Sequence, residues 1–417
     1  VKGIRREVFL DEFSIGLDPH QPILHSYGSP RMIAKKAMEI SPFIVMEVLE
    51  RAHEIERQEK GSVIHLEVGE PDFNTPSCII EAAIEALRQG DTHYTHSMGL
   101  LELREAIARH YQEKYRVYIS PDQIIVTSGT SPALFLIFAS LLEPGDEVIL
   151  SNPCYACYPN FITLLGGVPC YVEVEEKEGF QYTPEKINEK LSKRTKAILL
   201  NSPSNPTGNL LSADIMQRIA DFSPLIISDE IYHGLVYEGK EHSILEFTRR
   251  AFVLNGFSKL YAMTGWRLGY VIAPPEFIRP MQKIQQNFFI SASSFVQRGG
   301  IAALTLPQVK EEVQRMVDLY NVRRKLMLRK LREIGFEITA DPTGAFYVFA
   351  RADKFGKDSY KLAFDILENA HVAVTPGIDF GKKGEGYLRF SYANSLENIE
   401  EGLKRIDQYL NHKIPVS

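Results

Sequence analysis

The stretch Asn255-Gly-Phe-Ser-Lys-Leu-Tyr-Ala-Met-Thr-Gly-Trp-Arg267 follows an apolar run, Ala251-Phe-Val-Leu254, which reads as a buried strand ended by Asn255-Gly256. Lys259 therefore falls just past the carboxyl end of a strand, where open α/β sheets form their ligand crevice. Desolvation in such a place can strip a lysine of its charge and leave a nucleophilic amine able to form a Schiff base. Eight residues on, Arg267 offers a planar fork of donors suited to a phosphate, with the Ser258 hydroxyl beside it. A Schiff-base lysine next to a phosphate site is the requirement of pyridoxal 5'-phosphate.

Working outward, Pro224-Leu-Ile-Ile-Ser-Asp-Glu-Ile-Tyr-His233 is an apolar strand running into Asp229. A buried carboxylate is costly unless paired, and the protonated ring nitrogen of that cofactor would pair with it. The competing reading makes Asp229 a cap for a following helix; Glu230 is expected to be solvated. Tyr232 is in reach of the ring's phenolic oxygen. A third strand, Lys196-Ala-Ile-Leu-Leu200, opens into Asn201-Ser-Pro-Ser-Asn-Pro-Thr-Gly208, a loop stiffened by two prolines that can hold the Asn205 amide against the same oxygen. A fourth, Gln123-Ile-Ile-Val-Thr127, leads through Ser128-Gly-Thr-Ser-Pro132 into an apolar helix. Free amides at a helix N-terminus bind anions, so Gly129, Thr130 and Ser131 are assigned to the phosphate with Arg267 and Ser258.

With these residues in place the chain resembles the fold-type I pyridoxal-phosphate aminotransferases of class I/II, relatives of the aspartate, alanine and aromatic aminotransferases. The resemblance runs from about Met32 to the C-terminus. It is carried by Val68-Gly-Glu-Pro-Asp-Phe73, Tyr94 ahead of Gly99-Leu-Leu-Glu-Leu-Arg104, Ser128-Gly-Thr-Ser131, Asn205-Pro-Thr-Gly208, Ser228-Asp-Glu-Ile-Tyr232, Ser258-Lys259, Gly265-Trp-Arg267 and Leu388-Arg-Phe390, in family order. It implies that Tyr155 stacks on the cofactor ring and that Tyr94 reaches the cofactor phosphate of a neighbouring subunit, hence a homodimer with shared active sites. It further implies that Arg389 grips the substrate α-carboxylate with Gly69 and Asn205 beside it, and that Lys259 moves the proton, with Asp229 and Tyr232 tuning the ring. The implied reaction passes an amino group from an L-amino acid to a 2-oxo acid by a ping-pong route. Gly256 stands where relatives often have a phosphate-contacting serine, and Ser131 where some aspartate-preferring relatives have a lysine.

That second departure, with Phe288, Phe289 and Ile290 near the expected side-chain pocket, favours neutral donors such as alanine or larger apolar amino acids, with 2-oxoglutarate or pyruvate as acceptor. Aspartate stays open through Arg298 or another arginine. A C–S lyase or decarboxylase is the alternative chemistry, disfavoured by Gly265-Trp-Arg267 together with Arg389. A cofactor-binding regulatory module would need a DNA-binding domain, for which the residues before Met32 are too few.

A chain of 417 residues suits a large domain and a smaller one. The expected architecture is α/β: a large domain, 75–307, with a mainly parallel mixed sheet flanked by helices, and a smaller α+β domain from 32–74 and 308–417, preceded by an extension, 1–31, with little catalytic role. The net charge of −6 gives no reason to expect nucleic acid or a membrane as partner, and the absence of a long apolar run or signal core points to the cytoplasm. Cys78, Cys154, Cys157 and Cys170 read as reduced, mostly buried thiols, since Cys154-Tyr-Ala-Cys157 lacks a second pair to complete a zinc set. The histidines show no metal-binding spacing, His233 is expected to be packed or at the surface, and Trp266 to anchor the turn before Arg267. No metal is expected.

Overall fold

The computed structural model of the chain describes residues 33–59 and 62–412. The extension 1–31 lies outside the described residues. Residues 33–39 belong to a unit separate from the one that begins at Ile40, and in it Lys35–Met38 makes one helical turn.

The unit from Ile40 is built on a seven-stranded sheet of β1 (Ile124–Thr127), β2 (Glu147–Asn152), β3 (Val168–Glu173), β4 (Thr195–Asn201), β5 (Leu225–Asp229), β6 (Ala251–Gly256) and β7 (Gly269–Ile272). Their spatial order is β1-β7-β6-β5-β4-β2-β3. Only β7 is antiparallel to its neighbours, β1 and β6; the other pairings are parallel. The strands read as continuous apolar runs because both faces are covered. Alternate residues feed two cores: Ile124, Ile198, Ile226 and Val253 lie in one, and Ile125, Leu199, Ile227 and Phe252 in the other. The register sets where the strands end: Asn201 lies opposite Asp229 and Asp229 opposite Leu254, so β4 and β5 finish level and β6 runs on to Gly256 beside them.

A second, antiparallel sheet has β8 (Tyr347–Arg351), β9 (Thr375–Pro376) and β10 (Tyr387–Ser391) in the order β9-β10-β8. Helices Pro307–Ile334, Ser359–Ala370 and Leu396–His412 accompany it. Ile64–His65 pairs in parallel with Val372–Ala373, tying the segment after helix Ile44–Glu59 to this part of the chain. Leu66, Val348, Leu388 and Phe390 share a core that also takes in Ile231 and Tyr232, just past β5.

The competing reading of Asp229 as a helix cap fails. No helix follows Asp229: the Glu230 amide bonds Leu254 O at 2.8 Å, prolonging the parallel ladder, and residues 231–234 form turns. Past helix Pro307–Ile334, Glu337 forms a single antiparallel bridge with Arg351. Among the described residues no helix is long and apolar enough to cross a membrane.

Candidate active site

A cavity of about 400 Å³ opens at the carboxyl ends of β4, β5 and β6. Of the residues assigned from sequence to cofactor, catalysis or the substrate carboxylate, all line it except Gly129, which borders it through Arg267, and Tyr94. The strand ends explain the convergence, since Asn201 and Asp229 close β4 and β5, and Lys259 follows β6 by three residues.

At the floor, the buried Asp229 carboxylate accepts from Tyr158 OH at 2.7 Å and from the Ile231 amide at 3.1 Å. Burial pushes its pKa up to about 6, against these two hydrogen bonds and the charge of Lys259. No cation lies within ion-pairing distance of it among the described residues. The Asn201 amide donates to Asp229 O at 3.0 Å and accepts from the Asn205 backbone at 2.8 Å, which fastens the proline-stiffened loop to β5.

Lys259 Nζ donates to Gly69 O at 2.6 Å. The side chain faces the cavity and keeps some exposure, yet the surrounding protein lowers its pKa to about 8. Desolvation is the main cause; Glu70 opposes it, and Arg389 and Arg267 reinforce it. A larger share of its amine is thereby neutral and nucleophilic near neutral pH.

At one end of the cavity, helix Thr130–Leu141 begins directly after β1 and presents its first-turn amides. Gly129 has φ +90°, and a Cβ there would come within 2.5 Å of Arg267 Nη2, so only glycine lets the guanidinium close on the helix start. Arg267 Nη1 donates to Thr264 O at 3.0 Å. Trp266 anchors this turn by donating to Thr75 Oγ1 at 3.0 Å.

At the other end, the buried Arg389 on β10 donates to Asn205 Oδ1 at 2.8 Å, to Thr375 Oγ1 at 3.2 Å and to Glu67 O. Its guanidinium sits 4.3 Å from the Tyr347 ring centroid, and its Nε has no partner among the described residues. Tyr347 and Tyr232 join hydroxyls at 2.8 Å. A Cβ on Gly69 would fall 1.9 Å from Tyr347 OH. Tyr155 lines the cavity, edge-on to Tyr158 with centroids 5.2 Å apart.

Sequence reasoning missed Tyr158, Tyr347 and the apolar wall of Phe43, Val45, Met46, Leu49 and Val68. Tyr158 lies one helical turn past Tyr155, a spacing that could have exposed it; Tyr347 carried no local signal. Tyr94 is 82% exposed and does not reach its own chain's cavity. Phe288, Phe289 and Ile290 do not line it either, and Arg298 is held by Asp91 at 3.0 Å and Glu102 at 3.2 Å. Glu230 corrects an expectation: instead of being solvated it is fully buried, because its neighbour Asp229 takes the cavity face and the pleat turns Glu230 the other way. His233 is packed, with Tyr115 OH 2.6 Å from Nδ1. All four cysteines are free; Cys154 is buried and the other three are partly exposed.

Residues 61–406 match the family model for aminotransferase class I and II. The chain belongs to this family. It is 46% identical over 383 residues to the (5-formylfuran-3-yl)methyl phosphate transaminase of Methanocaldococcus jannaschii, covering 91% of this chain and all of the relative. An aspartate aminotransferase of Pyrococcus horikoshii is 39% identical over 384 residues, 91% of this chain and 97% of its own. Among solved structures, Thermus thermophilus aspartate aminotransferase with maleate superposes with a TM-score of 0.87 at 36% identity, over 91% of this chain and 99% of the other. The protein is thus a fold-type I aminotransferase, and the mixed sheet flanked by helices is that fold.

Proposed function

We propose that the cavity holds pyridoxal 5'-phosphate and that Lys259 is its attachment point. The observation that carries this is a buried carboxylate, Asp229, left without a cation across the cavity from a lysine whose pKa is lowered to about 8. The donor set fits the group: Arg267, Ser258 and the amides of Thr130 and Ser131, next to Gly129, suit its phosphate, Tyr155 its ring face, and Asn205 with Tyr232 its phenolic oxygen. When bound, the cofactor supplies an aldehyde for the lysine and an electron sink for the substrate's α-carbon. Asp229 would hold a proton on the ring nitrogen, Arg389 with Gly69 would orient the substrate carboxylate, and Lys259 Nζ would take the substrate's α-proton and deliver it to the cofactor's aldehyde carbon. Lys259→Ala should lose the visible absorbance of lysine-bound cofactor and cut kcat by roughly 10⁴-fold or more. A variant that keeps both absorbance and multiple turnovers would sink the assignment.

The reaction proposed is ping-pong transfer from a neutral L-amino acid to a 2-oxo acid. The apolar wall and the presence of Ser131 support it, since the cavity's cations, Lys259, Arg267 and Arg389, are all engaged and Glu70 would repel a second carboxylate. The named substrate of the 46% identical relative favours a second acceptor class, an aldehyde carrying a phosphate, which the Arg389 fork could grip as it grips a carboxylate. A donor and acceptor panel scored by kcat/KM separates these readings. Aspartate well ahead of alanine and phenylalanine would overturn the neutral preference, and steady release of ammonia without an acceptor would indicate a lyase.

The exposure of Tyr94 supports a two-fold dimer in which it serves the neighbouring subunit's phosphate. Tyr94→Phe should then weaken cofactor retention without unfolding, and a fully active monomer in solution scattering would contradict the shared site. Within the unit that begins at Ile40, the segregation of the two sheets supports the division into a large domain of 75–307 and a smaller one formed by the described residues on either side of it.

A further inference from the structure

On the flank of the small antiparallel sheet, His53, Glu56 and His65 bring their ligand atoms within 4.8 Å of one another, the one such set among the described residues. His53 and Glu56 stand three apart on helix Ile44–Glu59 and share a face. His65 lies on the two-residue strand that pairs with Val372–Ala373. The arrangement around His65 is more than proximity. Its Nδ1 is 2.7 Å from Oε1 of Glu67, a carboxylate with no solvent exposure whose Oε2 has no partner among the described residues. Its Nε2 points at Glu56 Oε1, 3.4 Å away.

Those two contacts constrain the charge at His65. Nδ1–H donated to Glu67 fixes the ring and leaves the Nε2 lone pair facing a carboxylate oxygen. Two acceptors repel unless a positive charge sits on or between them. A proton on Nε2 is one solution, and a metal ion is the other. A carboxylate that orients a histidine through its second nitrogen is the usual support behind a metal-ligating imidazole. The buried Glu67 needs a compensating charge in either case.

We propose that His53, Glu56 and His65 bind a divalent transition ion of the zinc type, with water as a fourth ligand. Imidazole nitrogen and carboxylate oxygen suit such an ion, and bonds of about 2.0–2.2 Å in a tetrahedral site put ligand atoms about 3.3 Å apart. Glu56 and His65 already meet that spacing. His53 is exposed, and the one contact described for it is with the His65 ring, centroids 5.6 Å apart, so its side chain can swing inward.

The ion would join helix Ile44–Glu59 to the strand that runs on to Gly69. That helix carries Val45, Met46 and Leu49 of the cavity wall, and the Glu67 carbonyl accepts from Arg389. The site is therefore structural, bracing the wall opposite Lys259, and stands whether or not the substrate reading holds.

The test is equilibrium dialysis of the untagged, cofactor-loaded full chain, stripped with a chelator, against micromolar Zn²⁺, read by elemental analysis and by melting temperature. The wild type should retain about one zinc per chain and melt higher with it. His53→Ala and Glu56→Gln should each weaken binding by about tenfold or more and lose the zinc-dependent rise, while melting as the wild type does without metal. Glu67→Gln should weaken binding by about 10- to 100-fold with all three ligands intact. No zinc retained by the wild type, or undiminished zinc in His53→Ala and Glu56→Gln, as binding at the cysteines would give, overturns the proposal.

Discussion

Asp229 and Glu230 are consecutive carboxylates at the end of one strand, both buried, and their surroundings differ completely. Asp229 faces the cavity with two donors and, among the described residues, no cation. Glu230 faces the protein interior, where Ser228, Ser243, the Ile244 amide and Tyr111 donate to it at 3.1, 3.0, 3.0 and 3.3 Å. Four donors and no open space make Glu230 a closed structural network. Two donors beside a cavity make Asp229 a charge awaiting a partner. Burial lifts both, Asp229 to about 6 and Glu230 to about 8, so the pKa value alone would have picked the wrong one as the functional acid. The free space next to the group decides.

The comparison breaks most sharply through Asp229→Asn. Asparagine keeps the volume and can still accept from Tyr158, but it cannot hold a proton on a ring nitrogen by ion pairing. On the proposed role kcat should fall by roughly 10²- to 10⁴-fold with the melting temperature nearly unchanged. A kcat within a factor of about two of wild type would show that this carboxylate is as structural as its neighbour.

Glu230 should respond in the opposite currency. Glu230→Ala leaves several buried donors unpaired and should cost about 3 kcal/mol of stability, read by denaturant unfolding, with kcat per folded chain close to wild type. Glu230→Gln adds a sign. A carboxyl whose folded pKa is raised from 4.5 to about 8 binds more protons folded than unfolded in that window, so its contribution to stability is lost as pH rises from about 4.5 to 8. Glutamine does not titrate, so the stability of Glu230→Gln relative to wild type should climb across that window. A difference that stays flat would mean that Glu230 is ionised at neutral pH.

How much of this could be read in the chain divides along the same line. Strands whose ends carry Asn201, Asp229 and the approach to Lys259 were legible because apolar runs broken by polar or small residues report both a buried strand and its end. Arg267 and Arg389 were legible through short motifs. The fate of Glu230 was not, since a pleat that sends one of two adjacent carboxylates inward depends on which face is already occupied, and the donors it meets come from as far off as Tyr111. Tyr347 and Glu67 were hidden for a like reason: Tyr347 meets Tyr232 only once the second sheet has folded against the first, and Glu67 meets Arg389 across a separation of 322 residues in the chain.

Tyr158 sharpens the comparison at its smallest scale, because it supplies one of the two donors to Asp229 found among the described residues. Its hydroxyl favours the charged form of Asp229, opposing desolvation. Tyr158→Phe removes that bond and keeps the ring packed edge-on to Tyr155. Losing a hydrogen bond to a charged group costs about 1.5–3 kcal/mol at most, and part of it returns if the carboxylate shifts toward the Ile231 amide, so kcat should fall by about tenfold or less. The acid limb of the kcat–pH profile should move to higher pH, since Asp229 then holds its proton more tightly. Glu230 shares no hydrogen bond with Tyr158, so the stability slope between about pH 4.5 and 8 should match the wild type's. An unshifted acid limb would mean that Asp229 is held by the Ile231 amide alone, and a loss as large as that of Asp229→Asn would mean that Tyr158 acts on the cofactor ring itself.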